Sequence, residues 1–182
     1  MMSKDKNLKY WNNFINYTEC FLFYCVYGWI YESIYCLVVY HRFINRGFLF
    51  GPWLPIYGIG FFIILGIFTL LKIKKPILVF VFGTIIATLA ELIASYILGA
   101  TMGYQLWSYE GYLLNFDSRI ALFPSLMFGL LIWIAICIIH PAVGKVQDKL
   151  RNNKIHSICF IVITMLFLID LISRIWLGSN FI

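Results

Sequence analysis

Five apolar runs of roughly twenty residues dominate this chain: about Thr18–Tyr40, Leu54–Leu71, Ile77–Gly99, Ile120–Ile139 and Ser157–Leu177. A helix needs about 20 such residues to cross ~30 Å of hydrocarbon. Hydrocarbon offers backbone groups no partners, so helices or closed barrels are the only ways through. The expected fold is therefore all-α: a polytopic membrane bundle of about five spans, forming one integral domain over residues 1–182. Composition points the same way. The chain is 62% hydrophobic and 12% charged, against about 25% charged residues in soluble domains. A net charge of +6 would suggest nucleic acid on a soluble protein. Here the basic residues sit in short connectors, which excludes that partner and points to topology instead.

Counting Lys and Arg sets the expected orientation. Lys4, Lys6 and Lys9 precede the first run, Lys72, Lys74 and Lys75 lie in the second connector, and Lys145, Lys149, Arg151 and Lys154 in the fourth. All would share one side. Arg42, Arg46, Arg119 and Arg174 fall on the other. The lysine-bearing side is expected to be cytoplasmic, with the amino terminus inside and the carboxyl terminus outside. The opening MMSKDKNLKYWNNFINY has no apolar core before a cleavage site, so the first span is expected to act as an uncleaved signal.

Two features break the apolar pattern. RGFLFGPWLPIYG, Arg46 to Gly58, gathers Gly47, Gly51, Pro52, Pro55 and Gly58 at the lip of the second span. Proline and glycine both oppose regular helix. Irregular backbone at membrane depth is tolerated only where protein buries it or a wet cavity faces it. Gly51, Pro52, Pro55 and Tyr57 are thus read as a cavity wall, or more plainly as a tight loop with its prolines opening the second helix. The second feature is acid inside the spans: Glu32, Glu91 and Asp170, each costing about 2.5–3.5 kcal/mol at the centre of an isolated span. Asp170 and Arg174, like Glu91 and Ser95, are four residues apart on one helix face. Glu32, Arg46, Glu91, Arg119, Asp170 and Arg174 are the expected polar cluster, either a structural ion-pair network or a cavity opening outward.

Other patterns are weaker. Arg46-Gly-Phe-Leu-Phe and Arg119-Ile-Ala-Leu-Phe share R-x-x-L-F, which would fit a parallel two-helix repeat followed by a fifth helix. Tyr104, Trp107, Tyr109, Tyr112 and Phe116 crowd the third connector and read as an interfacial aromatic belt or a stacking surface. Cys20, Cys25, Cys36, Cys137 and Cys159 show no metal spacing and read as small packing residues. No metal site, catalytic set or cofactor is expected.

ExxY, then NRGFLFGPWLPIYGIG, the mid-span Glu91, and WSY followed by NFDSRIALFPSLMFG resemble the bacterial ABC-transporter permease family of the CmpB, or type IV, kind. The resemblance runs from about Tyr27 to Ile134. It departs where that family tends to have glycine before the arginine and this chain has Ser118, and where Phe128-Gly129 stands for tryptophan-glycine. The resemblance implies a multi-pass transport component of the bacterial inner membrane. With no Walker A motif in the chain, a separate ATPase subunit would supply hydrolysis, and a homodimer would supply further spans. The expected activity is binding of a polar solute or lipid headgroup at the outward cluster, in contact with membrane lipids. Acids would take a cationic group or protons, and arginines an anionic one. The alternatives are an integral enzyme acting on lipid at the outer leaflet and a non-catalytic accessory subunit.

Overall fold

A computed structural model describes the backbone except Met1, Ile44, Arg46, Leu106, Asn152 and residues 180–182, and side chains except those of residues 1–11, 102 and 178–179 in addition. The described chain is helical: α1 (Met2–Tyr40), α2 (Pro55–Leu70), α3 (Pro76–Met102), α4 (Leu122–Ile134), α5 (His140–Leu150) and α6 (Lys154–Ser179). The stretches Asn12–Tyr40, Pro76–Thr101, Leu122–Leu150 and Lys154–Leu177 are long and apolar enough to cross a membrane, and Pro55–Leu70 is a shorter apolar helix. This is a helical membrane protein.

Two helix boundaries differ from the sequence reading. The polar amino-terminal stretch continues α1 backward to Met2. No proline or glycine interrupts it before Gly28. Of the expected fourth connector, HPAVGKVQDKLRNNKIH, Lys154 already begins α6, and the part His140–Leu150 is helical as well. Pro141 ought to break it, because a proline has no N–H and its ring crowds the carbonyl four residues earlier. The chain instead widens into a π-helical turn, Ala135–Ile139, in which the His140 N–H donates to the Ala135 carbonyl. The wider turn takes up the mismatch, and helix runs on to Leu150.

The chain divides into two compact units, residues 1–63 with 143–182, and residues 64–142. In the first, Leu22, Leu49 and Phe167 form a buried cluster with Phe21, Trp53 and Leu171 around it. Tyr24, only 1% exposed, stacks on Phe61 at 3.5 Å between centroids. Glycine sets the approach of α1 to α2: a Cβ on Gly28 would overlap the Tyr57 ring, and one on Gly58 would lie 2.7 Å from Phe21. In the second unit α3 packs along α4, where a Cβ on Gly129 would collide with the Thr84 hydroxyl. Cys20, Cys25 and Cys36 are buried and unbridged.

Because Tyr57 cannot move without opening this packing, Gly28→Val is expected to destabilise the protein by about 1–3 kcal/mol. A detergent-solubilised thermal melt of this variant beside wild type checks it.

Candidate functional site

The breaker-rich segment before α2 is not helical, so its amides and carbonyls need partners from elsewhere. Asp170 on α6 supplies the acceptors. The Phe50 N–H donates to Asp170 Oδ1 at 3.0 Å and the Gly51 N–H to Oδ2 at 2.7 Å. Four residues on, Arg174 Nε donates to the Phe48 carbonyl at 2.7 Å. Its guanidinium lies 5.2 Å and 5.1 Å from the Phe48 and Phe50 ring centroids. The i,i+4 pair expected within α6 is thus spent on the loop: the acid takes its amides and the base its carbonyl. Leu49, 2% exposed, is the apolar anchor between them.

Asn45 orders the start of the same loop. Its Oδ1 accepts from Trp29 Nε1 at 2.8 Å and from the Gly47 N–H at 3.3 Å, while Nδ2 donates to the Phe50 carbonyl at 3.3 Å. Pro55 opens α2, and the Leu54 N–H donates to the Cys25 carbonyl of α1 at 3.0 Å. Of the expected cavity wall, Gly51 uses its amide on Asp170, Pro52 is exposed, and Tyr57 points its hydroxyl at Glu32.

Glu32 is half-buried on α1, and Tyr57 OH donates to its Oε1 at 2.6 Å. It lies eight residues before the end of α1, about 12 Å along the axis. Asp170 lies seven residues before Leu177, the end of its candidate span, which is about 10 Å.

The second unit repeats this chemistry with different connections. Glu91, half-buried on α3, accepts from Tyr109 OH at 2.7 Å. It lies ten residues before Thr101, the end of its candidate span, about 15 Å. Arg119 donates through NH1 to the carbonyl and hydroxyl of Ser95, both at 2.9 Å, and through Nε to Asp117 at 2.8 Å. Its guanidinium covers the Tyr96 ring at 4.2 Å. Ser95, expected to meet Glu91, therefore serves Arg119. The connector folds on itself around that arginine. Trp107 Nε1 donates to the Arg119 carbonyl at 3.1 Å, Gln105 Nε2 to the Ser118 carbonyl at 3.0 Å, and the Tyr109 N–H to the same carbonyl at 2.8 Å. Trp107 and Tyr109 are thereby tied to the backbone around Arg119, while Tyr104 and Phe116 are exposed.

The two R-x-x-L-F stretches have different settings. Arg119 lies three residues before α4, whereas α2 begins nine residues after Arg46; Arg46 itself lies outside the described residues. The fold has used Asp170 and Arg174 to hold irregular backbone, and Arg119 to tie the connector to α3. Glu32 and Glu91 are held by tyrosine hydroxyls. Asn45, Tyr109 and Ser95 went unnamed as site residues in the sequence reading; each has a partner distant in the chain, Trp29, Glu91 and Arg119, sixteen, eighteen and twenty-four residues away, beyond any local pattern.

Asp117 and Ser118 have φ of 52° and 54°, the left-handed region where glycine is at ease. Hydrogen bonds from Arg119 and then Tyr96 hold the Asp117 carboxyl below its ordinary value. A depressed folded value stabilises at neutral pH, and that contribution is lost as pH falls through it.

The family model described as "Putative ABC-transporter type IV" matches residues 19–175. No curated protein and no solved structure matches the chain.

Two outcomes are expected. Asp170→Asn keeps one acceptor for two amides and lowers stability by about 1.5–3 kcal/mol, read as the midpoint of thermal unfolding. Ser118→Gly relieves left-handed backbone and raises that midpoint, by the equivalent of about 1 kcal/mol.

Proposed function

The chain belongs to the family described as "Putative ABC-transporter type IV", and from that premise we propose a membrane transport component that takes a polar solute or a lipid headgroup at its intramembrane acids. The lysine-bearing helix ends face the cytoplasm in this reading, so Glu32, Glu91 and Asp170 lie toward the outer face. ATP hydrolysis falls to a separate subunit, because the chain has no Walker A sequence. Self-association into a homodimer would complete the permease.

The observation that carries the proposal is Glu32. It is a half-buried carboxylate within a span, and its one partner among the described residues is the Tyr57 hydroxyl. An ionisable group in a membrane segment faces a bundle interior or a wet path and marks a site. Asp170 has a structural explanation in the two amides it accepts. Glu32 has none of that kind, since a single neutral donor leaves acceptor capacity for a cation or a proton. In the second unit Glu91 likewise accepts from a tyrosine hydroxyl, that of Tyr109. Arg174 and Arg119 support these acids by fixing the adjacent loops. Arg46 is assigned the anionic part of the solute by charge alone.

Screening small zwitterions and headgroup analogues for thermal stabilisation of the purified protein is the direct test. A stabilising compound should bind wild type and lose about tenfold or more in affinity in Glu32→Gln and in Glu91→Gln, as loss of a charge-assisted contact requires. Unchanged affinity in both variants would remove the acids from the mechanism.

A further inference from the structure

A second polar site lies at the other end of the first unit, independent of the transport reading. Asn12, Ile15, Asn16 and Glu19 lie on one face of α1, at the spacing of successive helical turns. With Gln147 and Arg151 near the end of α5, and His156, Phe160 and Ile161 near the start of α6, they line a cavity of ≈ 200 Å³. It is separated from Glu32 by thirteen residues of α1 counted from Glu19, about 20 Å.

The carboxylate inside this cavity has one oxygen hydrogen-bonded and the other beside the imidazole. Glu19 Oε2 accepts from Gln147 Nε2 at 3.0 Å, and its Oε1 lies 3.2 Å from His156 Nε2. The same Gln147 amide donates to the Asn16 carbonyl at 2.9 Å. Glu19 is the more buried of the two, its side chain 14% exposed against 26% for His156, and an anion entering on the open side meets the imidazole first. Arg151 is more open, at 45%; one of its nitrogens donates to Asp148 at 2.7 Å. A guanidinium has five N–H donors, so most of its donor capacity is left over. What the cavity offers a ligand is thus a guanidinium, an imidazole and the side-chain amides of Asn12 and Asn16. That set suits an anion with several acceptor oxygens, and a phosphate above all.

Placement decides the source of the phosphate. The lining includes Gln147, near the end of the candidate span Leu122–Leu150, and His156, near the start of Lys154–Leu177, so the cavity sits where chain passes from headgroup to hydrocarbon. Ile15, Phe160 and Ile161 form its apolar side, and the neighbouring Phe14 and Ile158 are exposed, as surface against acyl chains would be. Lys145, Lys149 and Lys154 add positive charge to the same segment. We propose that this cavity binds the phosphate of an anionic phospholipid, held by Arg151 and His156, with its acyl chains against Ile15, Phe160 and Ile161. Basic pockets between helices at this level suit such headgroups.

The test uses the full chain in nanodiscs of phosphatidylcholine alone or mixed with phosphatidylglycerol. Wild type should melt higher in the mixed discs and carry phosphatidylglycerol into native mass spectrometry. Arg151→Gln and His156→Gln should each retain about tenfold less of that lipid, while Lys75→Gln, an exposed lysine of the other unit, should retain it as wild type does. Lipid retention is read separately from melting, so a variant of lower stability still reports on the site. Equal losses in all three variants would mean diffuse surface charge and overturn the proposal, as would full retention in Arg151→Gln and His156→Gln. Inorganic phosphate reproducing the thermal shift in phosphatidylcholine discs would also overturn it, in favour of a soluble phosphate ligand.

Discussion

The structure of the first unit depends on two hydrogen bonds to one carboxylate. An irregular loop at membrane depth leaves amides with neither a helical partner nor water, at several kcal/mol each. Asp170 resolves this by presenting both oxygens to the adjacent amides of Phe50 and Gly51. Once they are held, Leu49 and Trp53 can pack against Leu22 and Phe167, and Pro55 can begin α2 at a fixed place beside α1. Tyr57 then reaches Glu32. A charged residue that looks like a liability in a hydrophobic span is thus what lets the loop exist there.

The second unit fastens its connector to a helix with the opposite charge. There a cation, Arg119, collects the Ser95 carbonyl and hydroxyl and stacks on Tyr96, and the connector wraps around it. Both arrangements end with a tyrosine hydroxyl on an intramembrane glutamate, reached from after the loop in one case and from within it in the other. The likeness is a tyrosine hydroxyl on a glutamate, with the tyrosine 25 residues after the acid in one unit and 18 in the other.

Much of this was legible in the sequence. Helical class follows from apolar run length, because hydrocarbon thickness leaves few alternatives; of the five expected spans, four are long enough to cross among the described residues and Pro55–Leu70 is a shorter apolar helix. The importance of Glu32, Glu91 and Asp170 could be read from the cost of charge in a span, but the division of labour among them could not. Whether a carboxylate holds backbone or is left to meet a ligand depends on what lies opposite, and the amides that Asp170 accepts are 119 and 120 residues away. Helix through Pro141 was missed for a related reason. A proline's local effect is to end a helix, and only the π turn before it shows how the backbone accommodates one. Likewise Glu19, Gln147 and His156 come together from three helices, with no motif to announce them.

The separation of the loop from its acceptor has a consequence for biosynthesis. Phe50 and Gly51 leave the ribosome long before Asp170 does, and at about 5–20 residues per second the gap is roughly 6 to 24 s. Through that interval the nascent loop has no carboxylate to take its amides, so it must wait in the wet interfacial zone or against the translocation machinery. Insertion of α6, which carries Asp170, is then the step that draws the loop into place.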